Sequence, residues 1–248
     1  MMRIRDDVAL VGSGDIAGFS LTDPYDCSIY LLDGGDELAL IDAGSGEDVD
    51  ELIAQVRAAG CRPERIRYVF LTHAHFDHAG GCRALRDRLG VQVVALAEAA
   101  RRVRTADTEA TAFAAAQRAG MYPAHLRCEP CPVERVVTDG ETLAVGRLRL
   151  TALATPGHSA DHCAYLLAGQ APALFSGDCV LAGGRVIIQH IADCLLEDYA
   201  RSIRKLAAQD FTALLPGHGL FALNRGRRHL DVAVAALDQL LMPGNLVT

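Results

Sequence analysis

Thr72-His73-Ala74-His75-Phe76-Asp77-His78 sets four potential metal ligands, His73, His75, Asp77 and His78, within six residues. Ahead of it runs Ile66-Arg67-Tyr68-Val69-Phe70-Leu71, an apolar, β-branched and aromatic stretch with the length of a buried strand. Behind it, Gly80-Gly81 opens a helix-like run to Leu89. The pattern predicts a strand-to-helix loop, where closely spaced side chains converge on one point without spoiling strand pairing. Imidazole suits zinc, iron, copper and nickel, and a carboxylate adds charge, so the mixture reads as a transition-metal site. A single loop rarely completes one.

Further donors lie downstream, each in a short loop behind an apolar strand. Leu148 to Leu153 leads into Thr155-Pro156-Gly157-His158-Ser159, Ala173-Leu174-Phe175 into Ser176-Gly177-Asp178, and Phe211 to Leu215 into Pro216-Gly217-His218-Gly219. With these motifs in this order, the chain resembles the metallo-β-lactamase fold superfamily over roughly residues 8 to 220. That resemblance implies an α/β fold, a four-layer αββα sandwich. It also implies a ligand set: His73, His75 and His158 for one metal, Asp77, His78 and His218 for a second, and Asp178 bridging them. Two divalent metal ions are expected, zinc first, with iron and manganese as the other candidates. Two such cations activate a bridging hydroxide and polarise the carbonyl it attacks, and Asp77 would act catalytically by orienting that hydroxide and passing a proton to the leaving group.

Individual residues separate the branches of the superfamily. Asp178 stands where one branch of zinc lactamases has cysteine, and His75 where flavodiiron proteins have glutamate. Persulfide dioxygenases hold a single iron and need no ligand like His218. Ribonuclease branches usually carry extra motifs or domains, and this chain is acidic. The remaining likeness is to the glyoxalase II-like branch, which implies a thioesterase or lactonase of the hydroxyacylglutathione hydrolase type. Only thirty residues follow His218, too few for the helical domain with which true glyoxalase II grips glutathione. Two other readings stay open: a mononuclear iron oxidoreductase of the persulfide dioxygenase type, and a catalytically idle, metal-stabilised binding protein.

Composition bounds the rest. A chain of 248 residues, half of them hydrophobic, suits one domain spanning 1–248, with an alanine-rich helical insertion at about 98–132 serving as a lid, a rim ornament or a dimer contact. Net charge −7 and short basic clusters argue against nucleic acid, which leaves a small-molecule substrate and keeps a homodimer open. Met1 to Asp7 turns acidic where a signal peptide is apolar, and no run approaches the roughly 20 apolar residues of a membrane span, so a cytoplasmic protein without membrane contact is expected. Eight scattered cysteines then read as reduced and mostly packed. Only Cys128-Glu129-Pro130-Cys131 has the spacing of a redox pair or half a zinc site.

In chain order, strands are expected at Val8 to Val11, Cys27 to Asp33, Glu37 to Asp42 and 91–96. A second half starts near Val133, with strands at Glu141 to Val145, 148–153, 163–167 and 173–175. Helices are expected over Glu47 to Ala59, Glu197 to Ala208 and Leu223 to Leu241. Asp193 or the pair Glu197-Asp198 would favour the positive end of the second. Asp42 is either an orienting partner for a metal-bound histidine or an Asx turn or helix cap. His162 and His190 are weighed as neighbours of the site, His125 and His229 as surface residues, and Tyr122 and Tyr199 as phenols within reach of an oxyanion.

Overall fold

The computed structural model describes residues 1–246. Met1–Val137 with Ala144–Leu148 form one unit, and Thr138–Leu143 with the chain from Arg149 form another.

Short apolar strands joined by tight turns make the first unit begin as an antiparallel meander. β1 (Met2–Arg5), β2 (Val8–Gly12), β3 (Ile29–Asp33) and β4 (Leu38–Ile41) pair in sequence. The β3–β4 turn is the expected Gly34-Gly35-Asp36, closed by the Gly34 N–H donating to Glu37 O at 3.0 Å. Helical connections then make the remaining pairs parallel, because a parallel pair needs a long crossover. α1 (Val49–Ala58) leads to β5 (Ile66–Phe70), and α2 (Phe76–Ala79) with α3 (Cys82–Leu89) leads to β6 (Gln92–Leu96). α4 (Ala97–Thr105) and α5 (Phe113–Arg118) lead to β7 (Arg135–Val137), so the seven strands lie in chain order.

α1 shows how sequence becomes packing here. Val49, Leu52, Ile53 and Val56 share one helical face and are buried in the same core as Leu31, Leu40 and Val69. Each such side chain contributes roughly 1.5–3 kcal/mol when fully buried. The Asp48 carboxylate caps the helix by accepting the Glu51 N–H at 2.9 Å.

Two boundaries differ from expectation. β1 lies in the acidic-looking N-terminus, where Met2 and Arg3 are exposed and leave little hydrophobic signal. The residues after Val133 belong to the first sheet, so the second unit starts at Thr138. The reason is a pairing between residues distant in sequence: Glu134 N–H donates to Val93 O at 3.1 Å, and the Glu134 carboxylate accepts the Val93 N–H at 2.9 Å, clipping this segment to β6.

The second sheet has five strands in the order β12-β11-β10-β9-β8. Its strands are β8 (Thr142–Val145), β9 (Leu148–Ala154), β10 (Cys163–Leu167), β11 (Ala173–Gly177) and β12 (Ala213–Pro216). β9, β10 and β11 pair antiparallel, whereas β11 and β12 are parallel across the crossover helix α6 (Leu196–Ala207). α7 (Arg227–Asp238) follows, shorter than the expected 223–241. Tyr199, Ile203 and Leu206 of α6 and Leu230, Ala233 and Leu237 of α7 share a core with Leu153, Leu174 and Leu214. Glu197 and Asp198 occupy the first turn of α6 as expected, but Asp193 does not cap it; its carboxylate accepts the Ala160 N–H at 3.1 Å. Among the described residues, no helix is long and apolar enough to cross a membrane.

Candidate metal centre

In the first unit, β5 stops at Phe70 and the chain leaves the sheet extended until α2 begins at Phe76. His73 and His75 come from this lead-in, Asp77 and His78 from the first helical turn, where the His78 N–H donates to His75 O at 3.0 Å. The arrangement folds four donors inward. His73 and His78 are fully buried, and the His73 ring lies 4.5 Å from that of His75 and 4.1 Å from that of His78. His78 Nε2 is 3.5 Å from Asp77 Oδ2. The glycines behind the motif exist for close approach: a Cβ on Gly81 would sit 2.2 Å from Ala43 O, and one on Gly80 would sit 2.3 Å from Ser45 O.

Asp42 resolves in favour of the orienting role. At a left-handed φ of 63° its buried carboxylate accepts the Thr72 N–H at 2.7 Å and the Thr72 hydroxyl at 2.9 Å, and it meets His78 Nδ1 at 2.8 Å. A carboxylate acceptor there puts the proton on Nδ1 and leaves the Nε2 lone pair for a metal, a tautomer assigned from the hydrogen bonds. Cys27 lies in the same cluster, a residue that sequence spacing did not single out. Burial pushes its thiol well above the usual range.

In the second unit the donors hang on strand ends. Asp178 follows β11 and His218 follows β12, and the parallel pairing of these strands sets the two loops side by side, with the Gly217 N–H donating to Gly177 O at 2.8 Å. His158 follows β9 through Gly157, whose φ of 141° and approach to α6 exclude a side chain: a Cβ would lie 2.4 Å from Tyr199 Cα. His158 Nδ1 donates to Ile187 O at 2.8 Å, and its Nε2 is 3.4 Å from Asp178 Oδ2. His218 Nε2 is 3.5 Å from the same oxygen. All three side chains are buried.

The neighbours of Asp178 are positioned with equal care. The Asp178 N–H donates to His162 Nε2 at 3.0 Å, while His162 Nδ1 lies 2.8 Å from the Thr155 hydroxyl. The Tyr199 hydroxyl donates to Asp178 O at 2.5 Å and accepts the Ile187 N–H at 3.1 Å. His162 and Tyr199 therefore hold the loop; the Tyr199 O–H is already given to Asp178 O, which makes it scaffold and not an oxyanion donor. His190 and His125 are exposed. His229, expected at the surface, is buried, with Nδ1 accepting the Gly183 N–H at 2.9 Å. The eight cysteines form no disulfide. Burial pushes the Cys128 and Cys131 thiols up to about 11, which opposes a redox pair.

Each unit thus presents buried imidazole nitrogens beside a carboxylate, a donor set that fits a zinc-, iron- or manganese-like divalent cation. Comparison with known proteins agrees with this chemistry. Residues 22–218 match the metallo-beta-lactamase superfamily. An atrochrysone carboxyl ACP thioesterase from Aspergillus fumigatus is 32% identical over 77% of this chain and 50% of its own length. A hydroxyacylglutathione hydrolase from Chromohalobacter salexigens is 27% identical over 77% of this chain and 61% of its own. A metallo-beta-lactamase from Cronobacter sakazakii with an HARLDQ motif, at 22% identity, superposes with a TM-score of 0.74 over 96% of both chains and shares the fold. The chain belongs to the metallo-beta-lactamase superfamily. It spans about half to three fifths of the length of these two curated relatives.

Proposed function

We propose that this protein is a metal-dependent hydrolase of activated carboxyl compounds, thioesters first and lactones second, working through a dinuclear centre. The observation that carries the reading is the fixing of imidazole tautomers: Asp42 on His78 and Ile187 O on His158 both leave Nε2 as the ligating atom. In this reading His73, His75 and His158 hold one cation, Asp77, His78 and His218 hold the other, and Asp178 serves both. When bound, two divalent cations lower the pKa of a water and polarise a carbonyl oxygen.

The protein's own groups supply the rest. Asp178, whose loop is held by His162 and Tyr199, places one carboxylate oxygen beside two imidazoles and offsets positive charge there. Asp77 is less enclosed than the histidines, with its side chain 15% exposed, so it is the carboxylate best placed to take a proton from the attacking water and deliver it to a leaving thiolate or alkoxide. Thioesters rank first because an ACP thioesterase and a hydroxyacylglutathione hydrolase stand among the relatives. The test is a hydrolysis screen over thioesters, lactones, phosphodiesters and β-lactams at defined metal loading. Turnover confined to thioesters or lactones supports the reading; turnover of phosphodiesters alone, or of nothing, refutes it.

A further inference from the structure

We infer that Tyr122 is a positioning residue for Asp77, delivered to it by the helical insertion; the inference rests on the dinuclear hydrolase reading and adds a part to it. Tyr122 lies just beyond α5, in a turn held by Gln117, whose amide donates to Pro123 O at 3.0 Å and to Leu126 O at 3.1 Å. Its ring packs among three others, with centroids 5.1 Å from Phe76, 5.6 Å from Phe113 and 5.7 Å from Tyr25. Phe76, Phe113 and Leu126 form a buried cluster of their own, and Phe76 is the residue immediately before Asp77. Stiff aromatic side chains in mutual contact keep the phenol in one place at small entropic cost.

From there the Tyr122 hydroxyl donates to Asp77 Oδ1 at 3.4 Å, while the other carboxylate oxygen, Oδ2, faces His78 Nε2 at 3.5 Å. The two oxygens of Asp77 are thereby given different neighbours, a phenol on one and an imidazole on the other. The distance is long for an O–H to carboxylate bond, as hydrogen bonds at reaction centres often are before ligands tighten them. The insertion therefore reaches the reaction centre itself.

Tyr122→Phe keeps the ring and removes the donor, and Tyr122→Leu removes the ring as well. Both variants and the parent are loaded with cobalt(II), and the visible spectrum, the affinity for the second cobalt, and kcat and KM on one small thioester are measured. Tyr122→Phe is expected to melt at the parent temperature, to shift the cobalt bands, to bind the second ion about 10-fold more weakly, and to lose about 10-fold in kcat with little change in KM, the size of effect typical of groups that orient a metal ligand. Tyr122→Phe matching the parent in spectrum, affinity and kcat overturns the inference, even if Tyr122→Leu is impaired, because only packing is then at stake. A parent that never takes up a second cobalt overturns the dinuclear reading itself and this inference with it.

Discussion

Asp42 and the Ile187 carbonyl do the same job for two histidines that are 80 residues apart in sequence, holding Nδ1 so that Nε2 is the free ligating atom. Asp42→Asn removes the charge that stabilises this tautomer and is expected to weaken metal binding by about 10- to 100-fold, read by competition with a chromophoric chelator; affinity at the parent level would contradict the role. Asp178→Asn keeps size and loses charge beside two imidazoles, so kcat should fall by about 100-fold or more at full metal loading. Near-normal turnover there would remove Asp178 from the centre. The donors themselves were legible because their spacing is linear, as in His73, His75, Asp77 and His78. The residues that orient them were only half legible: Asp42 reaches His78 across 36 positions and His162 reaches the Asp178 amide across 16, contacts that strand pairing creates and no local pattern announces.

At the level of elements, long periodic stretches were readable and short ones were not. α1 and α6 follow the spacing of their apolar residues, and each strand before a motif is where its β-branched or apolar run places it. β7 is three residues long and owes its place to Glu134 bonding Val93, a non-local pairing. His229 on α7 shows the same limit, because its burial depends on Gly183 from a distant loop. Burial first, and the nearby Arg228 charge second, hold its proton affinity below the ordinary histidine value of 6.5. The unfolded chain then binds a proton that the folded chain resists. The resulting stability is complete above pH of about 6.5 and is lost as pH falls below it. Parent protein should therefore lose melting temperature between pH 7.5 and 5.5 more steeply than His229→Asn, whose amide oxygen still accepts the Gly183 N–H. Equal slopes would show that His229 carries none of the acid sensitivity. Excising 106–126 removes Phe113 and Tyr122 from beside Phe76, so it should lower kcat as well as reorder kcat/KM among acyl groups. An altered ranking with parental kcat would mean the insertion only lines the substrate.

For the molecule as a whole, strand-then-donor-loop repeated along the chain is what made the superfamily legible, since each donor loop ends a strand whose burial is encoded in its own residues. The division into two units, with 138–143 in one and 144–148 in the other, follows from hydrogen bonds such as Arg147 N–H to Gly34 O at 2.9 Å and was not visible in composition. The most direct test of the central claim is to strip the protein of metal and titrate it with zinc while following hydrolysis of a small thioester. The dinuclear hydrolase account predicts little turnover up to one equivalent per chain, a rise to a plateau at two, and saturation near one equivalent with the activity lost in His218→Ala. Full turnover at one equivalent, or none at two across thioesters and lactones alike, would contradict it.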